Sequence, residues 1–502
     1  MRICYIIWCF LCVISLSAEA QKGKYFEKNV RFPEKVTLEE KVEMAARLVP
    51  TKQQLAWQQL ELTAFIHFGI NTFTGKEQGD GKEFPVMFNP VALDAEQWVK
   101  ALKAGGLKSV VLTAKHHDGF CLWPTKTTRH AITASPWKNG KGDVVRELKK
   151  ACDRNGMRFG IYLSLLDRNI SYYGDSPRYN EFFVKQLTEL LTEYGKIDEI
   201  WLDGTSEIGI DGKRQEYDWE LILKTIHKLQ PNAVTAFYGD DIRWIGKESA
   251  RGRGAEWSSV ALVPGCYPDA KKRNEEMRLS VFSRDLGGKE IIDRATELFW
   301  YPSEVSVSIR PSWFYHERED SKVKSLSELV RVYFQSVGCN SSLLLNVSPD
   351  RRGVLCETDV TRLKEFGEYL EKMYAKDFVS RWARAWTARQ GESKEYTLGK
   401  GCTINTILLQ EDISRGQRVE SFTVEGLVNG TWQVLGKGGT IGYKRLLHIP
   451  DVAVETIRVM TVVKRQTYHG WERFWLLKYK LFFLFFVLAI ETKNNIKYRV
   501  YG

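Results

Sequence analysis

Glu199-Ile200-Trp201-Leu202-Asp203-Gly204 is an apolar run that ends on a carboxylate and then on a residue free to turn sharply. Upstream, Leu62 to Phe68, Ser109 to Thr113 and Arg158 to Ser164 have the same strand-like character, and Ala233 to Phe237 follows downstream. Amphipathic stretches separate them, near Asp94 to Ala104, Val144 to Arg154, Pro177 to Tyr194 and Asp218 to Leu229. This alternation predicts an α/β fold, a (β/α) TIM-like barrel of parallel strands covered by helices. Such a barrel gathers its chemistry at the C-terminal ends of its strands. His67, His116, His117, Tyr162, Ser164 and Asp203 all fall at or just after strand ends, which packing alone does not explain.

The texture changes after about Lys376. Thr403 to Leu409 and Arg418 to Val424 alternate like antiparallel strands, and Asn429-Gly430 is a hairpin turn. A small C-terminal β-sandwich is expected there. At the other end, Arg2, the apolar Ile3 to Leu16 and Ala18-Glu19-Ala20 have the form of a signal peptide, with a mature start near Gln21. The expected division is therefore a signal at 1–20, a catalytic barrel at 21–375, a sandwich at 376–464 and an atypical hydrophobic tail at 465–502. The tail's apolar run, Leu481 to Ile490, is too short to span a bilayer as a straight helix, and a frameshifted terminus would also read this way. The signal predicts a secreted or periplasmic protein.

The chain has 502 residues, 43% of them hydrophobic, which suits a soluble protein with a large core. Its net charge of +11 raises nucleic acid as a partner, but Lys and Arg are interleaved with acids and form no long basic run. No nucleic-acid partner is expected. Outside the signal, Cys121, Cys152, Cys266, Cys339, Cys356 and Cys402 form no C-x-x-C pair, and some could join in disulfides after export.

Hydrolysis of a glycoside with retention needs two carboxyl groups, one ionised nucleophile and one proton donor. Asp203 is the nucleophile candidate. Taken alone, a strand-end Asp is more often a turn cap; the residues around it shift that balance. Phe65-Ile66-His67-Phe68-Gly69, Lys115-His116-His117-Asp118-Gly119-Phe120 with Trp123, Tyr162-Leu163-Ser164 and Trp201-Leu202-Asp203-Gly204 occur in this order. With them the chain resembles the family 29 glycoside hydrolases, the α-L-fucosidases, from about Leu55 to Tyr369 and on into the sandwich to about Val463.

That resemblance implies an exo-α-L-fucosidase acting through a covalent fucosyl-enzyme, with Asp203 as nucleophile. It implies that His67, His116, His117 and Tyr162 bind fucose hydroxyls or border the nucleophile. Glu77 resembles an acidic residue that grips the sugar, although Gln78 stands where relatives often carry Trp. Trp123 and Trp313 resemble aromatic walls of the pocket. The segment Asp241 to Glu248 resembles the subgroup that cleaves branched α-1,3- and α-1,4-fucosides, which makes Glu248 the general acid/base, with Glu256 its rival. Trp313-Phe314-Tyr315-His316 and Leu343 to Val347 fit the same subgroup. The expected partners are fucosylated oligosaccharides or glycoconjugates, with no cofactor and no stable membrane span. A zinc site at His67, His116, His117 and Asp118 is disfavoured, because adjacent histidines on an extended segment point opposite ways. The alternative from another class is a non-catalytic protein that binds fucosylated glycans. The sandwich shows no row of aromatics and is expected to brace the barrel. Oligomeric state does not follow from the sequence.

Overall fold

The computed structural model describes residues 25–205, 208–209, 212–245, 252–254, 256–376, 378–379, 385–387, 391–463 and 473–477. The expected signal peptide, the apolar run 481–490 and Glu248 lie outside the described residues.

Eight parallel strands form one sheet: β1 (Leu62–Ile66), β2 (Ser109–Lys115), β3 (Arg158–Ser164), β4 (Glu199–Asp203), β5 (Val234–Phe237), β6 (Arg243–Trp244), β7 (Ser303–Ser308) and β8 (Ser341–Asn346). Their order is β5-β4-β3-β2-β1-β8-β7-β6. A parallel bridge between Ala236 and Ile242 joins the two ends and makes the sheet a barrel. Every residue of β2 and β8 is buried, as expected for strands covered on both faces. Inside the ring, Phe65, Val111, Tyr162, Trp201, Ala236 and Leu344 fill the barrel.

The covering helices begin where the chain offers caps. The Asp94 carboxylate accepts from the Gln97 N–H at 3.0 Å and starts α1 (Ala95–Ala104), which buries Trp98, Val99 and Leu102. Asp143 caps α2 (Val144–Asn155) through the Arg146 N–H at 2.8 Å, and Gly156 ends it at φ +63. Proline opens α3 (Ser176–Glu193), and Asp218 caps α4 (Trp219–Leu229). Two further helices, α5 (Leu326–Gln335) and α6 (Glu357–Tyr374), follow β7 and β8.

The circuit is irregular at β5 to β6. No helix joins these strands; a tight turn through Asp240 and Asp241 does, and Thr235 Oγ1 lies 3.0 and 3.1 Å from their carboxylates. His227, Asp240 and Asp241 approach one another closely enough to suggest a cation site. The Lys28 ammonium takes that role, 2.7 Å from Asp240 and 2.9 Å from Asp241. Burial alone would lower the pKa of Lys28, but the two carboxylates outweigh it and hold the amine above its ordinary value.

The C-terminal unit is a sandwich of two four-stranded antiparallel sheets. One holds β9 (Ala385–Thr387), β11 (Thr403–Glu411), β14 (Arg445–Ala453) and β16 (Arg473–Leu477). The other holds β10 (Ser393–Thr397), β12 (Val419–Val428), β13 (Thr431–Gly438) and β15 (Thr456–Val463). Asn429 and Gly430 turn the β12–β13 hairpin at φ +50 and +78, the backbone that a two-residue turn needs. β16 pairs with Leu408 to Glu411, so the sandwich runs past the boundary expected at Lys464; without it that side of β11 would lack a partner. Leu408 and Leu446 join the barrel's core, which fits the bracing role. The six described cysteines are all unpaired.

Candidate active site

The C-terminal rim of the barrel collects the polar strand ends. β4 delivers Asp203, whose side chain is 27% exposed and so open to substrate. Gly204 follows at φ +87, and a Cβ there would lie 3.0 Å from Leu166 and 3.1 Å from the His117 ring. Glycine therefore lets the chain turn while His117 stays beside the carboxylate.

From β3, the Tyr162 hydroxyl donates to Asp203 Oδ2 at 3.0 Å. Burial first, and then the Asp203 charge, push the Tyr162 phenol far above its ordinary range, so it remains a donor. Its ring is held flat between Trp201, at 5.6 Å and 21°, and His116, at 5.6 Å and 14°.

The histidines are neutral for one shared reason. Burial lowers His67 to about 3 and His117 to about 4, and drops His116 well below its ordinary value. Hydrogen bonding settles two tautomers. The Asn346 amide nitrogen donates to Ser308 Oγ and to the Trp313 carbonyl, so its oxygen faces His67 Nδ1 at 2.8 Å and must accept. His67 then carries its proton on Nδ1, and Nε2 is left as an acceptor. Ser164 Oγ donates to the Leu166 carbonyl and so accepts from His117 Nδ1 at 2.7 Å. That leaves His117 Nε2, 3.7 Å from Asp203 Oδ2, as a second acceptor. Two imidazole acceptors beside one carboxylate suit a ligand rich in hydroxyl groups.

Trp313 completes one side, its ring 5.1 Å from His67. Phe314 is buried and packs edge-on against His67 and His116. Glu77 holds this loop: Oε2 accepts the Trp313 N–H at 2.8 Å and Oε1 lies 2.9 Å from His316 Nε2. Both oxygens that were expected to grip a sugar thus engage the protein.

The structure brings together His67, His116, His117, Tyr162, Asp203 and Trp313, with Glu77 behind Trp313. It does not place Trp123 among them. The chain folds back after β2, where the Leu122 N–H bonds the Ala114 carbonyl, and this carries Trp123 into the core. The indole N–H donates to Glu189 on α3 at 2.8 Å, and no face of the ring is left to form a wall.

Glu256 lies at the opposite end of the barrel. It is buried against Arg243, the first residue of β6, and its backbone carbonyl accepts from Asn340, just before β8. A proton donor for the rim cannot work from there.

Sequence reasoning left out Asn346 and Phe314 as parts of the site. Asn346 had a signal, a polar residue ending the apolar run of β8. Phe314 had none beyond its neighbour Trp313. The three strands β6, β7 and β8 were also not placed: β6 has only two residues, and β7 is half serine.

An open carboxylate ringed by neutral imidazoles and aromatics, at the rim of a (β/α) barrel with a sandwich behind it, defines a glycoside hydrolase. Comparison with known proteins makes the class specific. The α-L-fucosidase family model matches residues 51–374. Alpha-L-fucosidase 1 of Arabidopsis thaliana is 36% identical over 450 residues, 84% of this chain and 85% of its own. A Bacteroides ovatus protein assigned as an α-L-fucosidase has 53% identity and a TM-score of 0.88, over 95% of this chain and 80% of that one. A family 29 fucosidase of Ruminococcus gnavus, solved in complex with fucose, has 30% identity and a TM-score of 0.73, over 86% and 95% of the two chains. The chain belongs to the α-L-fucosidase family.

Proposed function

We propose that the enzyme removes terminal L-fucose from glycans with net retention of configuration, acting on α-1,3- and α-1,4-linked branches. The observation that carries this reading is Asp203, an open carboxylate fixed by Tyr162 and flanked by a neutral His117. Asp203 attacks C1 of fucose and forms a covalent fucosyl-enzyme. Glu248 protonates the departing oxygen, then activates the water that releases fucose. His67 and His117 accept hydrogen bonds from fucose hydroxyls through Nε2, and Trp313 covers an apolar face of the sugar. The fucose complex of the Ruminococcus gnavus relative supports the choice of sugar. The likeness of Asp241 to Glu248 to the branched-linkage subgroup supports the choice of linkage.

Release of fucose from α-1,2-, α-1,3- and α-1,4-linked substrates, compared side by side, tests the linkage. Strong α-1,2 activity without the other two would overturn it. The anomer first formed, followed by NMR, tests retention. The N-terminal segment makes export part of the proposal, and a mature protein that does not begin near Gln21 would count against it.

A further inference from the structure

Ser164 is a polar residue that the proposed mechanism does not use. It ends β3 beside Asp203, its partner in register on β4, and it is fully buried. A serine hydroxyl has one hydrogen to give. That hydrogen goes to the Leu166 carbonyl at 2.7 Å, which no other donor reaches among the described residues. Toward His117 Nδ1, also at 2.7 Å, the serine oxygen can therefore only accept. The ring's proton is held on Nδ1, the nitrogen that does not face the nucleophile.

The other ring nitrogen is where this matters. His117 Nε2 lies 3.7 Å from Asp203 Oδ2. That is too far for a hydrogen bond, yet a small turn of the ring would close it. With Nε2 bare, two lone pairs face each other and keep the groups apart. A proton on Nε2 would instead point at Asp203 and bond it. The same oxygen already accepts from Tyr162 at 3.0 Å. A second donor would draw off more of the negative charge that has to attack C1. Other contacts fix where His117 lies: its carbonyl accepts the Arg168 N–H at 2.9 Å, and its ring packs 4.2 Å from that of His116. Among the described residues only Ser164 hydrogen-bonds the ring, and so only Ser164 decides which nitrogen holds the proton.

We infer that Ser164 is a positioning residue for the nucleophile: by taking the Nδ1 proton of His117 it keeps a bare nitrogen toward Asp203, so that the imidazole serves a sugar hydroxyl and leaves the carboxylate free to attack. The inference rests on Asp203 being the nucleophile. The titratable and charged groups around the pair come from several elements. Tyr162 of β3 and Tyr238 after β5 both feel the Asp203 charge, and burial first and then that charge raise their phenols, so both stay protonated. His116, Arg168 and Lys115 surround His117. Burial, and then the two cations, oppose a charge on the imidazole, so the ring is neutral whichever nitrogen holds its proton.

The test is the pH dependence of kcat/KM on an aryl fucoside, whose acid limb reports the nucleophile's carboxyl in the free enzyme. Ser164→Ala removes the acceptor, and the His117 proton moves to Nε2, where Asp203 accepts it. A hydrogen bond to the charged form lowers a carboxyl's pKa. The acid limb should therefore move down by about one pH unit while the plateau falls about tenfold. Simple loosening of the site has a different signature: the plateau drops with the limb in place, and loss of the Tyr162 bond would move the limb up. Ser164→Thr, which keeps the hydroxyl, should hold the parent's limb. NMR of isotope-labelled histidine reads the ring proton directly, with His117 assigned by its loss in His117→Gln. The parent should carry that proton on Nδ1, and Ser164→Ala on Nε2. A limb that stays or rises in Ser164→Ala, one that moves as far in Ser164→Thr, or a parent His117 protonated on Nε2 would overturn the inference. The parent spectrum decides alone if the melting curve shows that Ser164→Ala is unfolded. If Asp203→Ala is inactive and Ser164→Ala behaves like the parent, only the role of Ser164 fails. If Asp203→Ala keeps near-normal turnover, the nucleophile assignment fails and this role with it.

Discussion

Two carboxylates at the two ends of this barrel, Asp203 and Glu256, meet opposite surroundings. At the C-terminal rim Asp203 has a phenol and a neutral imidazole for neighbours and is partly open. At the N-terminal end several acids are closed off by cations, while Glu199 and Glu304 accept from the indoles of Trp57 and Trp201. Glu256 meets two arginines, Asp240 and Asp241 share Lys28, and Glu61 lies 2.5 Å from Lys444 of the sandwich. A carboxylate paired with a buried cation has its charge and hydrogen-bonding capacity spent on the fold. A carboxylate left partly open at the rim can turn its charge toward a substrate. An acid's partners, more than the end it occupies, therefore indicate whether it serves chemistry or stability.

The sharpest way to break this contrast is Asp203→Ala. Turnover of an aryl fucoside should fall roughly 10⁴-fold or more while the melting temperature holds, since the group removed is open to solvent. Near-normal turnover would put the nucleophile elsewhere. Lys444→Met should do the reverse. It takes from buried Glu61 the nearer of two cations, leaving Lys108, and should lower stability by about 1.5–3 kcal/mol in denaturant unfolding, with kcat/KM on the aryl fucoside unchanged. Tyr162→Phe tests the neutral donor at the rim. Loss of one hydrogen bond to a charged group, about 1.5–3 kcal/mol, should slow turnover by about 10- to 100-fold without unfolding the protein.

A smaller effect follows from the histidines. His67 titrates at about 3 in the folded enzyme against an ordinary value of about 6.5. Between those values the unfolded chain binds a proton that the folded ring refuses. The His67 contribution to stability therefore falls as pH falls, by up to about 1.4 kcal/mol per pH unit. Asp118 works the other way: burial raises it to about 7, so across roughly pH 4 to 7 the folded state holds the extra proton and stability falls as pH rises. Melts at pH 4.5 and 6.5 should show a smaller loss on acidification in His67→Gln than in the parent, and an unchanged loss would mean that His67 is already charged. The smallest expected effect is that of Trp123→Phe. Removing its bond to Glu189 should cost about 1 kcal/mol of stability and leave KM for fucosides alone. A raised KM would return Trp123 to the pocket.

Much of the barrel was legible from the sequence. β1 to β5 and the helices among them follow strong periodicity and Asp caps, which are local signals. β6 and β7 were not, because two residues carry no period and alternating serines in a buried strand resemble a loop. At the site, the polar ends of four apolar strands were enough to bring His67, His116, His117, Tyr162 and Asp203 into one group. Trp123 shows the limit of this reasoning. It follows the histidine segment closely in sequence, but the chain reverses after β2 and points it into the core, and no local pattern encodes that reversal.

By itself the sequence determined the barrel, the rim and the nucleophile candidate, since strand period and strand-end position are properties of neighbouring residues. Only the tertiary structure decided what each acid does. Glu256 and Asp203 both flank short apolar segments, and their difference comes from the partners that distant parts of the chain bring to them. Tyr162 and His117 reach Asp203 from β3 and the loop after β2, whereas Arg243 and Arg253 close on Glu256 at the other end. Burial and pairing depend on the whole fold, so a carboxylate's chemistry is settled only when its neighbours are in place.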